Sequence, residues 1–135
     1  MTWEEEIARM RVAAESRGVD VRFIATIRKV EDGRPGREFG VLSVHAPNYD
    51  SQLREACISV AHRAALFEVH ESCSCEPLFE YTSAHGMRYS DAFIRHFAGV
   101  WAPVQGADND PTHLNDNWLN NAREIYSRFC TDGLS

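Results

Sequence analysis

A chain of 135 residues is the size of one domain and is long enough to bury a core. Hydrophobic residues make up 44% and charged residues 25%, the composition of a folded globular protein rather than a disordered one. A formal net charge of −6 with no dominating Lys/Arg cluster argues against a nucleic-acid partner held by bulk electrostatics. No apolar run reaches the roughly 18 residues that a membrane span needs.

The opening MTWEEEIARM is acidic and lacks the apolar stretch of a signal peptide. The expectation is synthesis in the cytoplasm, with another route carrying the protein to any target outside. Thr2 followed by Glu5 fits a capping box. Trp3, Ile7, Met10 and Ala14 then recur at i, i+4, i+7 and i+11, which predicts a helix ended by Gly18 and packed on the core as a lid.

A second helix is predicted over about 20–32. Ile24, Ile27 and Glu31 fall at i, i+3 and i+7 on one face, so a carboxyl stands at the end of an apolar stripe. With Gly33 as the stop, Glu31 lies in the last turn, where the helix dipole disfavours another negative charge. Burial and dipole work in the same direction against the ionised form. A carboxyl that keeps a proton near neutral pH is what a general acid for glycoside cleavage requires. Arg28 and Arg34 are the cations placed to pair with Glu31 and hold it ionised instead. Together with Lys29 and Arg37 they form either a solvated helix end or an anion-facing rim.

Residues 33–40 hold three glycines and a proline and must turn. Residues 41–44 alternate weakly and are expected as one strand of a small hairpin, ended by Pro47 and Asn48. Asp50 or Ser51 is the expected cap of a third helix. Its stripe of Leu53, Cys57, Val60, Ala61, Ala64 and Phe67 predicts the central helix of the core, its alanines allowing close contact. Residues 69–89 are the least regular. Phe79, Tyr81 and Tyr89 there either pair in a hairpin, line a groove or pack locally as a loop. Ser90 caps a fourth helix with Phe93, Phe97, Val100 and Trp101 on one face, ended by Pro103. In the polar stretch 104–115, Asp108, Asn109, Asp110 and Asn115 do not make a calcium loop. His113 sits where the EF-hand needs glycine, and no glutamate closes the loop; Asx-turns fit better. Asn115 or Asp116 is the expected cap of the last helix, with Trp118, Ala122, Ile125 and Phe129 as its stripe. The tail TDGLS is expected to fray.

Without a secretory signal the four cysteines, Cys57, Cys73, Cys75 and Cys130, are expected as thiols. Bridges from Cys73 and Cys75 to Cys57 and Cys130 are the alternative, with the pairing open. His70, Cys73 and Cys75 sit at a poor spacing for zinc, and His62, His85 and His96 are scattered, so no metal and no cofactor is expected.

The order of these elements resembles the lysozyme-like superfamily, closest to lytic transglycosylases and phage lysozyme-like domains. Val30-Glu31-Asp32-Gly33 resembles the helix end that carries the catalytic glutamate. Gly40-Val41-Leu42-Ser43-Val44 resembles a Gly-Leu-Met-Gln segment on a short β element, with Ser43 in the place of Gln. The alanine-rich helix 53–67, a weak echo of an aromatic segment in Phe97-Ala98-Gly99, and the terminal WLNNAREIYSRF complete the likeness over about 20–130. The 33–39 loop is shorter than in the family.

The resemblance implies a single lysozyme-like domain over 1–135, with an N-terminal helix at 1–18 and a core at 20–130. Its class is mainly α (α+β): about five helices around the alanine-rich one, with a short β-hairpin beside the active-site groove. The implied activity is cleavage of the MurNAc–GlcNAc β-1,4 bond of the peptidoglycan glycan strand, by a muramidase or a lytic transglycosylase. Glu31 is then general acid and base, and Ser43, Tyr49, Tyr81 and Phe97 contact substrate. Glu38 and Asp50 are the nearest candidates for a second carboxylate, and neither is compelling, which favours the single-carboxylate scheme of a transglycosylase. Without a signal peptide, a phage virion or a larger assembly is the implied carrier. The alternatives are a non-catalytic lysozyme-like virion or binding protein, and a helical interaction protein whose acidic surface meets a basic partner.

Overall fold

The computed structural model describes residues 1–70, 76–102 and 117–134, the side chain of His70 excepted. Among them are five helices and one two-stranded antiparallel ribbon: α1 (Trp3–Glu15), α2 (Val21–Glu31), α3 (Tyr49–His70), β1 (Phe79–Thr82), β2 (Gly86–Tyr89), α4 (Asp91–Trp101) and α5 (Trp118–Asp132). The mainly helical α+β class expected from sequence is the class observed.

Helix α1 begins with the full capping box: Thr2 Oγ1 accepts from the Glu5 amide and Glu5 returns a carboxylate to the Thr2 amide. Ile7, Met10 and Ala14 are buried as the periodicity predicts. Trp3 joins this helix to the chain's far end. Its indole stacks on Phe129 at 6.3 Å between centroids, and its N–H donates to the Leu134 carbonyl at 2.9 Å. Leu134 is itself buried. Up to Leu134 the tail is therefore tied down where fraying was expected, because the Leu134 carbonyl and its apolar side chain both find partners.

The helix enclosed on all sides along part of its length is α2, not the alanine-rich α3. Five consecutive residues, Phe23, Ile24, Ala25, Thr26 and Ile27, are buried, so over this stretch no face is left to water, while Lys29 further along is exposed. It packs against α1, α3 and α5. Thr26, the polar member, donates its hydroxyl to the Arg22 carbonyl at 2.8 Å. Phe23 takes edge contacts from Tyr89, Phe97 and Tyr126 at 5.2–5.5 Å. Truncating such a ring costs about 3–5 kcal/mol. Helix α3 instead buries one stripe, with Leu53, Cys57, Val60, Ala64 and Phe67 inside and Ala61 half-buried.

Two local expectations change. The cap of α3 is Asn48, not Asp50 or Ser51: Asn48 Oδ1 accepts from the Ser51 amide at 2.9 Å, and Ser51 Oγ accepts from the Asn48 amide at 3.1 Å. Residues 41–44 form no strand. Their backbone partner is the fully buried side chain of Gln52. Its Oε1 accepts from the Phe39 and Val41 amides at 3.3 and 3.1 Å, and its Nε2 donates to the Val41 and Ala46 carbonyls at 2.8 and 2.7 Å. One side chain thus supplies what a neighbouring strand would supply.

The ribbon lies instead in the irregular stretch, with Phe79 opposite Tyr89 and Thr82 opposite Gly86. It attaches to the N-terminal end of α2, where the Asp20 amide donates to Tyr89 Oη at 3.2 Å and Arg22 donates to the Met87 carbonyl at 2.7 Å. Glu31 is eleven residues further along, about 16 Å at helical rise. The hairpin is therefore not beside the Glu31 end. Ser90 caps α4 as expected, accepting from the Phe93 amide at 3.1 Å. Cys57 and Cys130 are free thiols. The cap position of α5 is Asn117, not Asn115 or Asp116, and its side chain makes no capping hydrogen bond. The expectations on Cys73, Cys75, Pro103 and the 104–115 stretch with its aspartates and His113 fall outside the described residues.

Candidate functional site

Glu31 is the last residue of α2, and the helix stops on Asp32, not on Gly33. Asp32 adopts the left-handed conformation with φ 43° and donates its amide to the Arg28 carbonyl. Aspartate tolerates this region better than most residues. Gly33 is needed for a different reason: a side chain there would run into the Arg37 carbonyl.

The half-buried Glu31 carboxyl is held by two tryptophans. Its Oε2 accepts from Trp118 Nε1 at 2.9 Å and from Trp101 Nε1 at 3.1 Å. Trp101 closes α4 and Trp118 opens α5, so one oxygen gathers the ends of three helices. Phe97 backs the pair, stacked on Trp101 at 5.3 Å and tilted against Trp118 at 6.1 Å. An indole N–H only donates. Oε2 is therefore an acceptor whatever the state of the carboxyl, and any proton the group carries sits on Oε1.

Oε1 faces Gly40. A Cβ at that position would collide with Oε1 and with the carboxyl carbon, and Gly40 also has φ +74°. Both the space and the backbone conformation call for glycine. Gln52 fixes this close approach through the amides on either side of Gly40, at Phe39 and Val41.

Neither arginine expected to neutralise Glu31 does so. Arg28 turns to Glu6 at 2.7 Å and reaches Asp32 at 3.9 Å. Arg34 is exposed and unpaired among the described residues. No cation among the described residues pairs with Glu31.

Gly40 and Trp101, both against the Glu31 carboxyl, also line a groove of about 320 Å³. Phe97, Val100 and Trp101 make an apolar wall from α4. Glu55, Ser59, His62 and Arg63 make a polar wall from α3, and the 40–42 segment closes one end. The polar wall follows the spacing i, i+4, i+7 and i+8, one helical face.

Of the residues expected to touch substrate, only Phe97 lines this groove. Ser43 is exposed and folds into a local turn, its hydroxyl accepting from the His45 amide at 3.1 Å. Tyr49 is packed on Phe39 at 5.6 Å, and its buried hydroxyl lies near Glu6; burial first, then the Glu6 charge, hold its ionisation above the usual tyrosine range. Tyr81 is 74% exposed on the ribbon. The two candidates for a second carboxylate are also elsewhere. Glu38 accepts from the Gly36 amide at 3.0 Å, and Asp50 pairs with Arg9 at 2.9 Å. Glu55, which the sequence did not single out, is the carboxylate that lines the groove.

The tryptophans were legible as apolar stripes only. Their signal was chemical: a buried indole needs an acceptor, and an acid on an apolar face needs donors. The spacing of 70 and 87 residues hid the match. Among the described residues no cluster of His, Cys, Asp and Glu is arranged to hold a metal ion.

Comparison with family models, with curated proteins and with solved structures finds no match to this chain. The fold and the site define a mainly helical domain with a carboxyl clamped at a helix end beside an aromatic-walled groove.

Proposed function

We propose that the protein is a lysozyme-like peptidoglycan-cleaving enzyme, a lytic transglycosylase or a muramidase, acting on the MurNAc–GlcNAc β-1,4 bond with Glu31 as general acid and base. One observation supports this: a carboxyl oriented by two neutral N–H donors, with its second oxygen free of them, set behind Gly40 and Trp101, which line a groove with an aromatic wall that Glu31 itself does not line. Sugar rings stack on such walls, and their hydroxyls meet the polar face opposite.

Glycoside cleavage needs a proton on the leaving oxygen as the bond breaks. Glu31 delivers it from Oε1, while the indoles keep Oε2 in place. In the transglycosylase scheme the same carboxylate then takes the proton of the sugar's own hydroxyl, which closes an anhydro ring. In the hydrolase scheme a second carboxylate activates water, and Glu55 is the groove residue of the right kind.

The test is release of soluble fragments from purified peptidoglycan by wild type and Glu31→Gln, with mass analysis of the products. Glu31→Gln is expected to lower the rate about 10²- to 10⁴-fold. Anhydro ends and reducing ends differ by one water and separate the two schemes. Glu55→Gln then abolishes activity in the hydrolase and spares most of it in the transglycosylase. Equal rates for wild type and Glu31→Gln would overturn the proposal. A non-catalytic glycan-binding protein is the second reading, favoured by the joining of α2, α4 and α5 at Oε2, which is also what a structural tie does. It predicts glycan binding without product, and a lower Tm in Glu31→Gln.

A further inference from the structure

Arg63 stands out among the arginines. Arg22, Arg28, Arg37, Arg88 and Arg123 are buried or half-buried, and each donates to an acceptor within the protein. Arg11, Arg17 and Arg34 are exposed, where water serves them. Arg63 is half-buried and lines the groove, yet it has no acceptor among the described residues. Glu55, the groove's carboxylate, is on the same helical face two turns away and lies 3.7 Å from Arg54. His62 lines the groove beside Arg63 and adds a second donor. A guanidinium that has lost part of its water and gained no partner costs stability unless something else fills the place.

We infer that Arg63, with His62 beside it, forms an anion subsite that takes a carboxylate of the glycan, and so selects carboxylate-bearing strands over neutral ones. The planar fork of arginine matches a carboxylate with two parallel hydrogen bonds, which an ammonium group does not reproduce. In a chain of net charge −6, an anionic ligand needs such a local cation. The inference rests on the proposed glycan substrate.

The experiment is calorimetric binding in the Glu31→Gln background, so that no turnover intervenes. The probes are chitobiose, the GlcNAc–MurNAc disaccharide with a free lactyl carboxylate, and the same disaccharide carrying a dipeptide stem. Arg63→Gln is expected to weaken carboxylated ligands about tenfold and to leave chitobiose unchanged. Arg63→Lys is expected to restore part of the loss. Dependence on Arg63 for the peptide-free disaccharide assigns the lactyl carboxylate, and dependence only with the stem assigns the peptide carboxylate. Equal loss for chitobiose and the carboxylated probes, or no loss for either, overturns the inference. Such a result leaves the Glu31 proposal standing, since that proposal is judged by product release in the wild type.

Discussion

The two ends of α2 each hold a carboxylate, and they hold it in opposite ways. At the N-terminal end Asp20 is saturated by partners. It caps the helix through the Arg22 amide, pairs with the Arg22 guanidinium at 2.8 Å and accepts from Tyr126 Oη at 2.7 Å. Tyr126 Oη in turn accepts from the Tyr89 amide at 2.8 Å, and Tyr89 Oη accepts from the Asp20 amide. The charge is neutralised and the ring of bonds closes on itself. This end joins α2 to α5 and to the ribbon. At the C-terminal end Glu31 meets only neutral donors among the described residues, all on one oxygen, with a groove alongside. A carboxylate paired with a cation is fixed as a structural ion. One oriented by neutral donors keeps an oxygen for chemistry. The contrast explains why α2 organises the fold at one end and the candidate site at the other.

The largest effect that tests this contrast is on rate. Glu31→Gln should lower peptidoglycan cleavage about 10²- to 10⁴-fold and leave the far-UV spectrum unchanged, whereas Asp20→Asn should shift Tm more than activity. A reversal of these two phenotypes would break the comparison.

The next effect is on the scaffold under the site. Gln52→Leu leaves the Phe39 and Val41 amides and the Val41 and Ala46 carbonyls without their partner. Each buried group so stranded costs about 1–3 kcal/mol, and partial relaxation brings the expected loss to about 3 kcal/mol in denaturant unfolding. Gly40→Ala perturbs the same place from the other side. It asks alanine to adopt a positive φ and pushes the Glu31 carboxyl aside, so about 1–2 kcal/mol of strain should accompany a loss of activity. Unchanged activity in a folded Gly40→Ala protein would show that the placement of Oε1 is unimportant.

At the Asp20 end, Tyr126→Phe removes two hydrogen bonds, the one donated to the Asp20 carboxylate and the one accepted from the Tyr89 amide, and should cost about 2–3 kcal/mol with the catalytic rate unaffected. The smallest effect belongs to the α4–α5 pair of Asp91 and Arg123, joined by two bonds at 2.8 and 2.9 Å. The Arg123 hydrogen bonds hold the Asp91 carboxyl below its usual range. A depressed carboxylate contributes stability that is present above the unfolded value near 4 and is lost as pH falls through the folded one. Both groups are more than a third exposed, so Arg123→Ala should lower stability at pH 7 by less than about 1 kcal/mol. The difference from wild type should vanish in melts near pH 2.

Much of the helical plan was legible because it is local. The Thr2–Glu5 capping box, the Ser90 cap, and the stripes of α1 and α3 follow from spacing within a few turns, whereas α4 buries Ile94 and Ala98 beside Phe93 and Phe97 and leaves Val100 exposed. The suspicion that fell on Glu31 had the same basis, an acid at the end of an apolar face. The structure departs from the local pattern where a distant side chain satisfies the backbone. Residues 41–44 looked like a strand because they alternate, but Gln52 satisfies their backbone. Gln52 is in register with Ala56 and Val60 on the buried side of α3, and a polar residue on that line was the available clue. Of Ser43, Tyr49, Tyr81 and Phe97, whose hydroxyls and rings lie near the right segments of the chain, only Phe97 lines the groove; Tyr49 is on α3, which also reaches it, but packs on Phe39 instead.

The sequence alone determined the class of the domain, the buried faces of α1 and α3 and the carboxyl worth watching, since helix periodicity and caps are encoded within a dozen residues. Tertiary structure decided the rest. It brought Trp101 and Trp118 to one oxygen of Glu31, set Gly40 against the other, placed the ribbon at the opposite end of α2 and left Arg63 on a groove without a partner among the described residues. Each of these depends on contacts between residues far apart in the chain, and no local pattern records which donor will meet which acceptor.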